Sequence, residues 1–235
     1  MPSTSAENYL KAIYSRQEGG NRRVKTKEIA DELEISLPSV SGMLKSLAEN
    51  GLVEYEPYHG VRLTEDGRTM ALRVIRNHRL IEVFLVKALG YSWDEVHSEA
   101  ERLEHAVSDK LVERIDAFLK FPKFDPHGDP IPTAEGKLHK RDMINLGDAD
   151  EGMTVRVERV LDQTPEVLRY LDRIGLRPGS TLSVAEILSF DGQMFLTVDG
   201  EEVTISERLA GKMLVTVPSD RMPASSPKES TETQP

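Results

Sequence analysis

Apolar residues recur at helical spacing over Tyr9, Leu10, Ile13 and Tyr14, then over Ile29, Ala30 and Leu33, then over Val40, Leu44 and Leu47. The first fifty residues therefore predict three short helices. Gly19 and Gly20 stop the first, and Thr26 is placed to cap the second. Ser36 opens the third, with Pro38 in a first turn where a missing N–H costs nothing. Asn50 and Gly51 close that helix. Period-two segments follow, Leu52 to Tyr55 and Val61 to Thr64, on either side of a turn at Pro57 to Gly60.

Three helices and a two-stranded ribbon make the winged helix-turn-helix pattern, assigned here to residues 1–73. A second region, 74–140, is helical. Leu72, Ile75, Leu80, Val83, Phe84, Val86 and Leu89 mark a strongly apolar helix closed by Gly90, and a long amphipathic helix follows in which Val96, Ala100, Leu103, Val107 and Leu111 share a face. Two such helices expose more apolar surface than they can bury on each other, so a homodimer is expected. A Pro-rich connector, FPKFDPHGDPIP, leads on. Residues 149–218 then change to short β-branched runs separated by RPGS, DGQ and DGEE, with one helix from Pro165 to Ile174, as in a small all-β barrel. The tail, 219–235, has a disordered composition. The expected fold class is a mainly α N-terminal two-thirds with a small all-β C-terminal domain.

Composition narrows the chemistry. Cysteine is absent, which excludes disulfides, thiolate zinc sites and iron–sulfur clusters, so any metal must be held by nitrogen and oxygen. No apolar run approaches the ~20 residues that span a bilayer, so no membrane association and a cytoplasmic location are expected. No phosphate-binding glycine loop, nucleophile elbow or HExxH occurs, which argues against a nucleotide cofactor and against an enzyme. The formal charge of -10 is concentrated away from the N-terminal third. There Arg22, Arg23, Lys25 and Lys27 form a basic cluster able to meet phosphates. On the third helix, Ser36, Pro38, Ser39, Ser41 and Gly42 are small enough for close approach to bases, and Lys45 can reach a phosphate. Arg62 in the wing is a further candidate contact to double-stranded DNA.

The segment HSEAERLEH sets His97, Glu101, Glu104 and His105 on one arc beside the apolar face. Carboxylates at such an edge are unfavourable unless paired or metal-bound, and imidazole with carboxylate suits Mn, Fe, Co, Ni or Zn. A solvated helix face is the commoner account of the spacing alone. His78 and Glu82 form an i, i+4 pair, and Asp125 and His127 in the connector offer two more donors.

Taken in order, SAENYLKAIY, the winged helix, NHRLIEVFLVKALG, HSEAERLEH, DPHGDPIP and RIGLRPGS resemble the DtxR/MntR family of metalloregulators over nearly the whole chain. The resemblance implies a dimeric, metal-activated repressor of metal-uptake genes that binds a palindromic operator and ends in an SH3-like domain similar to ferrous transport protein A. It assigns one metal site to His78, Glu82 and His97, with Glu166 as a C-terminal oxygen donor, and a second to Asn8, Glu101, Glu104 and His105. Lys11 stands where some manganese sensors carry a Glu ligand. Position 101 is Cys in iron sensors and Glu here, and DPHG replaces the CPHG of several relatives. Both changes replace sulfur with a hard oxygen, which favours Mn(II), with Fe(II) as the alternative and Zn(II), Co(II), Ni(II) or Cd(II) as surrogate binders. A mononuclear metalloenzyme is the rival from another class.

Overall fold

The computed structural model describes residues 3–17, 20, 22–188 and 190–218. They form two compact units whose boundary falls between Arg141 and Asp142. The tail composition at 219–235 and the Gly19 stop lie outside the described residues.

In the first unit, α1 (Thr4–Arg16), α2 (Thr26–Leu33) and α3 (Leu37–Glu49) precede a hairpin of β1 (Val53–Glu56) and β2 (Gly60–Leu63). Ser36 caps α3, its hydroxyl accepting from the Ser39 amide, and Gly51 turns the chain at φ 72°. Leu10, Ile13, Ile29, Val40, Leu44 and Val61 are fully buried in one core, so α1, α2, α3 and the wing are held as a single body. The spine of the unit is α4 (Glu65–Leu89), 25 residues and so about 37 Å long. Its first turns put Ala71, Leu72 and Ile75 into the helix-turn-helix core. Its later turns put Leu80 and Val83 against α6 (Asp109–Phe118), and Ile81 and Leu85 against α5 (Val96–Leu103). One rigid helix thus serves three apolar clusters.

The long helix expected around HSEAERLEH is instead two short ones. The first ends at Leu103, with Glu104 as its C-cap, and Ser108 starts the next by accepting from the Leu111 amide. The break is stabilised from outside, because the buried Asn77 amide donates to the Glu104 carbonyl at 3.2 Å. Leu111 therefore lies on a different helix from His97. The helical wheel drawn through both was wrong because Ser108 offers the backbone a cap.

The second unit contains β3 (Ile144–Asn145), β4 (Thr154–Val160), α7 (Pro165–Arg173), β5 (Thr181–Leu188), β6 (Gln193–Val198), β7 (Glu201–Ser206), α8 (Glu207–Ala210) and β8 (Met213–Thr216). The strands form one antiparallel sheet in the order β3-β8-β4-β5-β6-β7. Alternation is clean on β6, where Met194, Leu196 and Val198 are buried. Among the described residues no pairing joins β3 to β7, and the six antiparallel strands are in keeping with the small SH3-like all-β domain expected.

Gly67 shows how tightly α4 enters the first unit. A Cβ there would lie 2.0 Å from the Leu52 carbonyl oxygen. In an open helix Gly→Ala gains about 1 kcal/mol. Here Gly67→Ala is expected to destabilise, by roughly 1–3 kcal/mol for overpacking against backbone. Denaturant unfolding of the two proteins measures the sign.

Candidate metal centre

One turn apart on α4, His78 and Glu82 face the interior, and their side chains meet at 2.9 Å between Nε2 and Oε1. Helix α5 brings His97 to the same place, its Nδ1 standing 3.2 Å from His78 Nε2 and 3.4 Å from Glu82 Oε1. The connector supplies the rest. Asp125 Oδ1 accepts from the backbone amides of His127 (2.8 Å) and Asp129 (2.9 Å), which folds DPHG into a tight Asx turn completed by Gly128 at φ 90°. Arg79 pins this loop to α4, donating to the Pro130 carbonyl at 2.5 Å with its guanidinium 3.6 Å from Asp125 and 3.4 Å from Asp129. Arg76 repeats the tie one turn earlier, through the Pro132 carbonyl and Asp116.

His127 is fully buried, its ring stacked on Trp93. Its Nε2 donates to the Trp93 carbonyl at 2.7 Å, which leaves Nδ1 as the nitrogen with a free lone pair. Among the described residues that Nδ1 has no hydrogen-bond partner, and it stands 3.8 Å from Glu82 Oε2. A buried polar nitrogen without a partner calls for an explanation, and an imidazole oriented through its other nitrogen by a carbonyl is the usual environment of a metal-ligating histidine. Two overlapping groups have donors close enough to share one ion: His78, Glu82 and His97, and Glu82, Asp125 and His127. Glu82 belongs to both. The residues fit a divalent ion bound by nitrogen and oxygen.

The electrostatics agree. Burial works against charge on Glu82, but hydrogen bonds from His78 and His97 outweigh it and hold the carboxyl below its ordinary value. His78 is opposed by burial too, and the carboxylates of Glu104 and Glu82 on its two sides raise it above the ordinary imidazole value. Asp125 is pushed well up, first by burial and then by the charges of Asp129 and Glu82. Asp125 thus faces two other carboxylates, with Arg79 as the cation beside it.

The second predicted set is arranged differently. Glu104 turns under α5, with Oε2 2.5 Å from His78 Nδ1, and receives both of its oxygens' bonds from Lys11 Nζ, at 3.0 and 2.9 Å. Burial raises its carboxyl, whereas His78 and Lys11 bring it below the ordinary value. His105 reaches α1 and contacts Glu7 and Asn8, both at 2.6 Å. Glu101 stays exposed, 3.6 Å from His97 and 4.0 Å from Lys11. Glu166 lies exposed in the first turn of α7, in the second unit. In the DNA-binding body, Lys27, Ser36, Pro38, Ser39, Gly42 and Lys45 are exposed and Ser41 is half-buried. Arg62 is paired with Glu54, and Arg22 and Arg23 with Glu28 and Glu56, so half of the basic cluster is already neutralised. Sequence reasoning missed Trp93, Arg79 and Asp129, which orient the connector donors, and Glu7, which orients His105. For Arg79 the signal was available: it stands one helical turn from both Arg76 and Glu82 on α4.

A winged helix-turn-helix joined through one helix to a buried pocket of imidazoles and carboxylates defines a metal-responsive DNA-binding regulator. The family described as "Iron dependent repressor, N-terminal DNA binding domain" matches residues 1–61, its "metal binding and dimerisation domain" matches 64–133, and "FeoA domain" matches 144–217. The chain is 31% identical to the iron-dependent repressor IdeR of Mycobacterium leprae over 88% of its own length and 94% of that protein's. It is 30% identical to the diphtheria toxin repressor of Corynebacterium diphtheriae, again over 88% and 94%. A solved manganese-dependent transcriptional repressor in complex with manganese superposes with a TM-score of 0.82 at 43% identity, over 90% of this chain and 99% of that one. The chain belongs to the iron-dependent repressor family that includes DtxR and IdeR. It is a metal-dependent DNA-binding regulator with a dimerisation domain, not an enzyme.

An ion that took His78 as a ligand would displace a proton that Glu82 and Glu104 hold in place. Because His78 is raised, affinity is expected to climb with pH, by about tenfold per unit for one proton released, until the raised value is passed and then to level off. Mn(II) calorimetry in two buffers of different ionisation enthalpy measures the release; identical heats would contradict it.

Proposed function

We propose that this chain is an Mn(II)-activated repressor of metal-uptake genes, acting in the cytoplasm as a homodimer on palindromic operators. The observation that carries the metal reading is the unpartnered His127 Nδ1 facing Glu82 across 3.8 Å in a fully buried site. Glu82, His127, Asp125, His78 and His97 would hold the ion. A bound divalent cation supplies the positive charge that lets Glu82 and Asp125 both stay ionised. The residues do the coupling: Glu82 and His78 sit on α4 where the helix-turn-helix core gives way to the α5 and α6 clusters. Drawing in α5 and the connector therefore fixes the base of the DNA-binding body.

The donors are all nitrogen and oxygen, with Glu82 and Asp125 as hard carboxylates, which supports manganese. Manganese also appears in the description of the 43%-identical repressor. Fe(II) is the second reading, favoured by the name of the IdeR relative. Dimer formation is supported by the exposure of Leu89, Leu111, Phe118 and Phe121 on the ends of α4 and α6 and the start of the connector, an apolar surface that a second copy would cover. Gly42 supports the role of α3: a Cβ there would meet nothing within 4 Å, so the protein interior does not require glycine and the bare surface is available to DNA.

Selection from random duplexes in Mn(II) should recover inverted repeats. Removing Mn(II) with chelator should weaken binding to them by about 5- to 150-fold. Equal affinity with and without Mn(II), measured by fluorescence anisotropy, would overturn the reading, and a larger effect from anaerobic Fe(II) would favour iron. Glu82→Gln should abolish the Mn(II) effect while leaving basal DNA binding. Gly42→Leu should fold normally yet lose the selected duplex even with Mn(II) present.

A further inference from the structure

Two clusters of imidazole and carboxylate lie side by side in the first unit, and their internal bonding is opposite. The pocket around Glu82 contains a buried ring nitrogen with nothing to bind. The cluster between α1 and α5 is already saturated. Both nitrogens of His105 are engaged, by Glu7 and Asn8 at 2.6 Å each, and Glu7 is itself held by Arg73 at 2.8 Å. Both oxygens of Glu104 accept from Lys11 Nζ, which also stands 4.0 Å from Glu101. Asn8 contributes a neutral amide where an acidic residue would have attracted a cation. These residues do not fit a metal ion, because the position between the carboxylates is filled by an ammonium of the same chain.

We infer that Lys11 is the built-in cation of the α1–α5 cluster, taking the place of a second metal ion, so that the chain responds through one ion per subunit held around Glu82. The inference rests on the metal reading of the Glu82 pocket. Three features make it more than a surface ion pair. Glu104 is buried, so its charge requires a partner and the lysine cannot leave without uncovering it. The lysine comes from α1 and the carboxylate from the end of α5, so the pair joins the helix-turn-helix body to the metal-binding helices whether or not metal is present. The same carboxylate contacts His78 Nδ1, the far side of the ring whose Nε2 faces Glu82. Lys11 thus positions Glu104, and Glu104 orients His78. A divalent ion among Glu101, Glu104 and His105 would meet the ammonium as a like charge, and would have to displace it before binding.

The test is a metal count by equilibrium dialysis and by the electron paramagnetic resonance of free Mn(II), on the full chain. The wild type should bind about one Mn(II) per chain, and Lys11→Arg, which keeps the cation, the same number. Lys11→Gln should bind about two, since it leaves Glu101 and Glu104 without their cation, and adding Glu104→Gln to it should restore one. His127→Ala in the otherwise wild-type chain should lower one to none. Two ions in the wild type, or a single ion in a folded Lys11→Gln, would overturn the inference. The wild-type count decides by itself if Lys11→Gln does not fold. A wild type that binds none overturns the Glu82 pocket and this inference with it, whereas a single wild-type ion that survives His127→Ala would show that Lys11 does not keep the ion out of the α1–α5 cluster.

Discussion

The carboxylate of Glu82, with 1% exposure, is the charge around which the first unit is organised. An ionised carboxyl removed from water costs several kcal/mol unless it is paired and hydrogen-bonded. Partners come from three directions: His78 from the same helix, His97 from α5, and His127 from a connector more than forty residues along. Each approach requires an element to be placed, and each placement has its own support. The helix α5 is seated by Val96 and Ala100, and the connector is tied down by Arg76 and Arg79. The metal site and the packing of the unit are one problem with one solution.

The position of that charge along α4 matters as much as its burial. Upstream turns of the helix belong to the core of the DNA-binding body, and downstream turns to the two smaller clusters. Helices are stiff over this length, so a change in what surrounds Glu82 is carried to the wing and α3 by a continuous rod. No loop intervenes to absorb it. The Lys11–Glu104 pair and the Glu82 pocket thus divide the labour, one holding α1 to α5 and the other gathering His78, His97 and His127 around one carboxylate.

Much of this was legible before any coordinates. Periodicity and caps at Ser36, Asn50 and Gly90 delimit helices that the structure reproduces, because local hydrogen bonding decides those boundaries. Period-two runs delimit the C-terminal strands, although strand order and the open edges depend on long-range pairing that a pattern does not encode. The failure at HSEAERLEH is instructive. Its periodicity is helical throughout, yet an amide from Asn77, distant in sequence, and the hydroxyl of Ser108 end one helix and begin another. That break lets Glu104 turn toward Lys11 and His78 while His97 turns toward Glu82. Histidine and acidic candidates were visible as residue types; which of them have unused lone pairs was not, since that depends on Trp93, Glu7 and Arg79 supplying or withholding partners.

His97 is the one member of the Glu82 pocket that remains wetted, with 45% of its side chain exposed, while His78, Glu82, Asp125 and His127 are shut away. A compartment with a single wet wall has a single doorway. Exposed side chains change rotamer in picoseconds to nanoseconds, far faster than helices part. An ion held around Glu82 as proposed would then come and go past one imidazole, with the scaffold folded. Such a unit would register falling supply as promptly as rising supply, without first having to come apart.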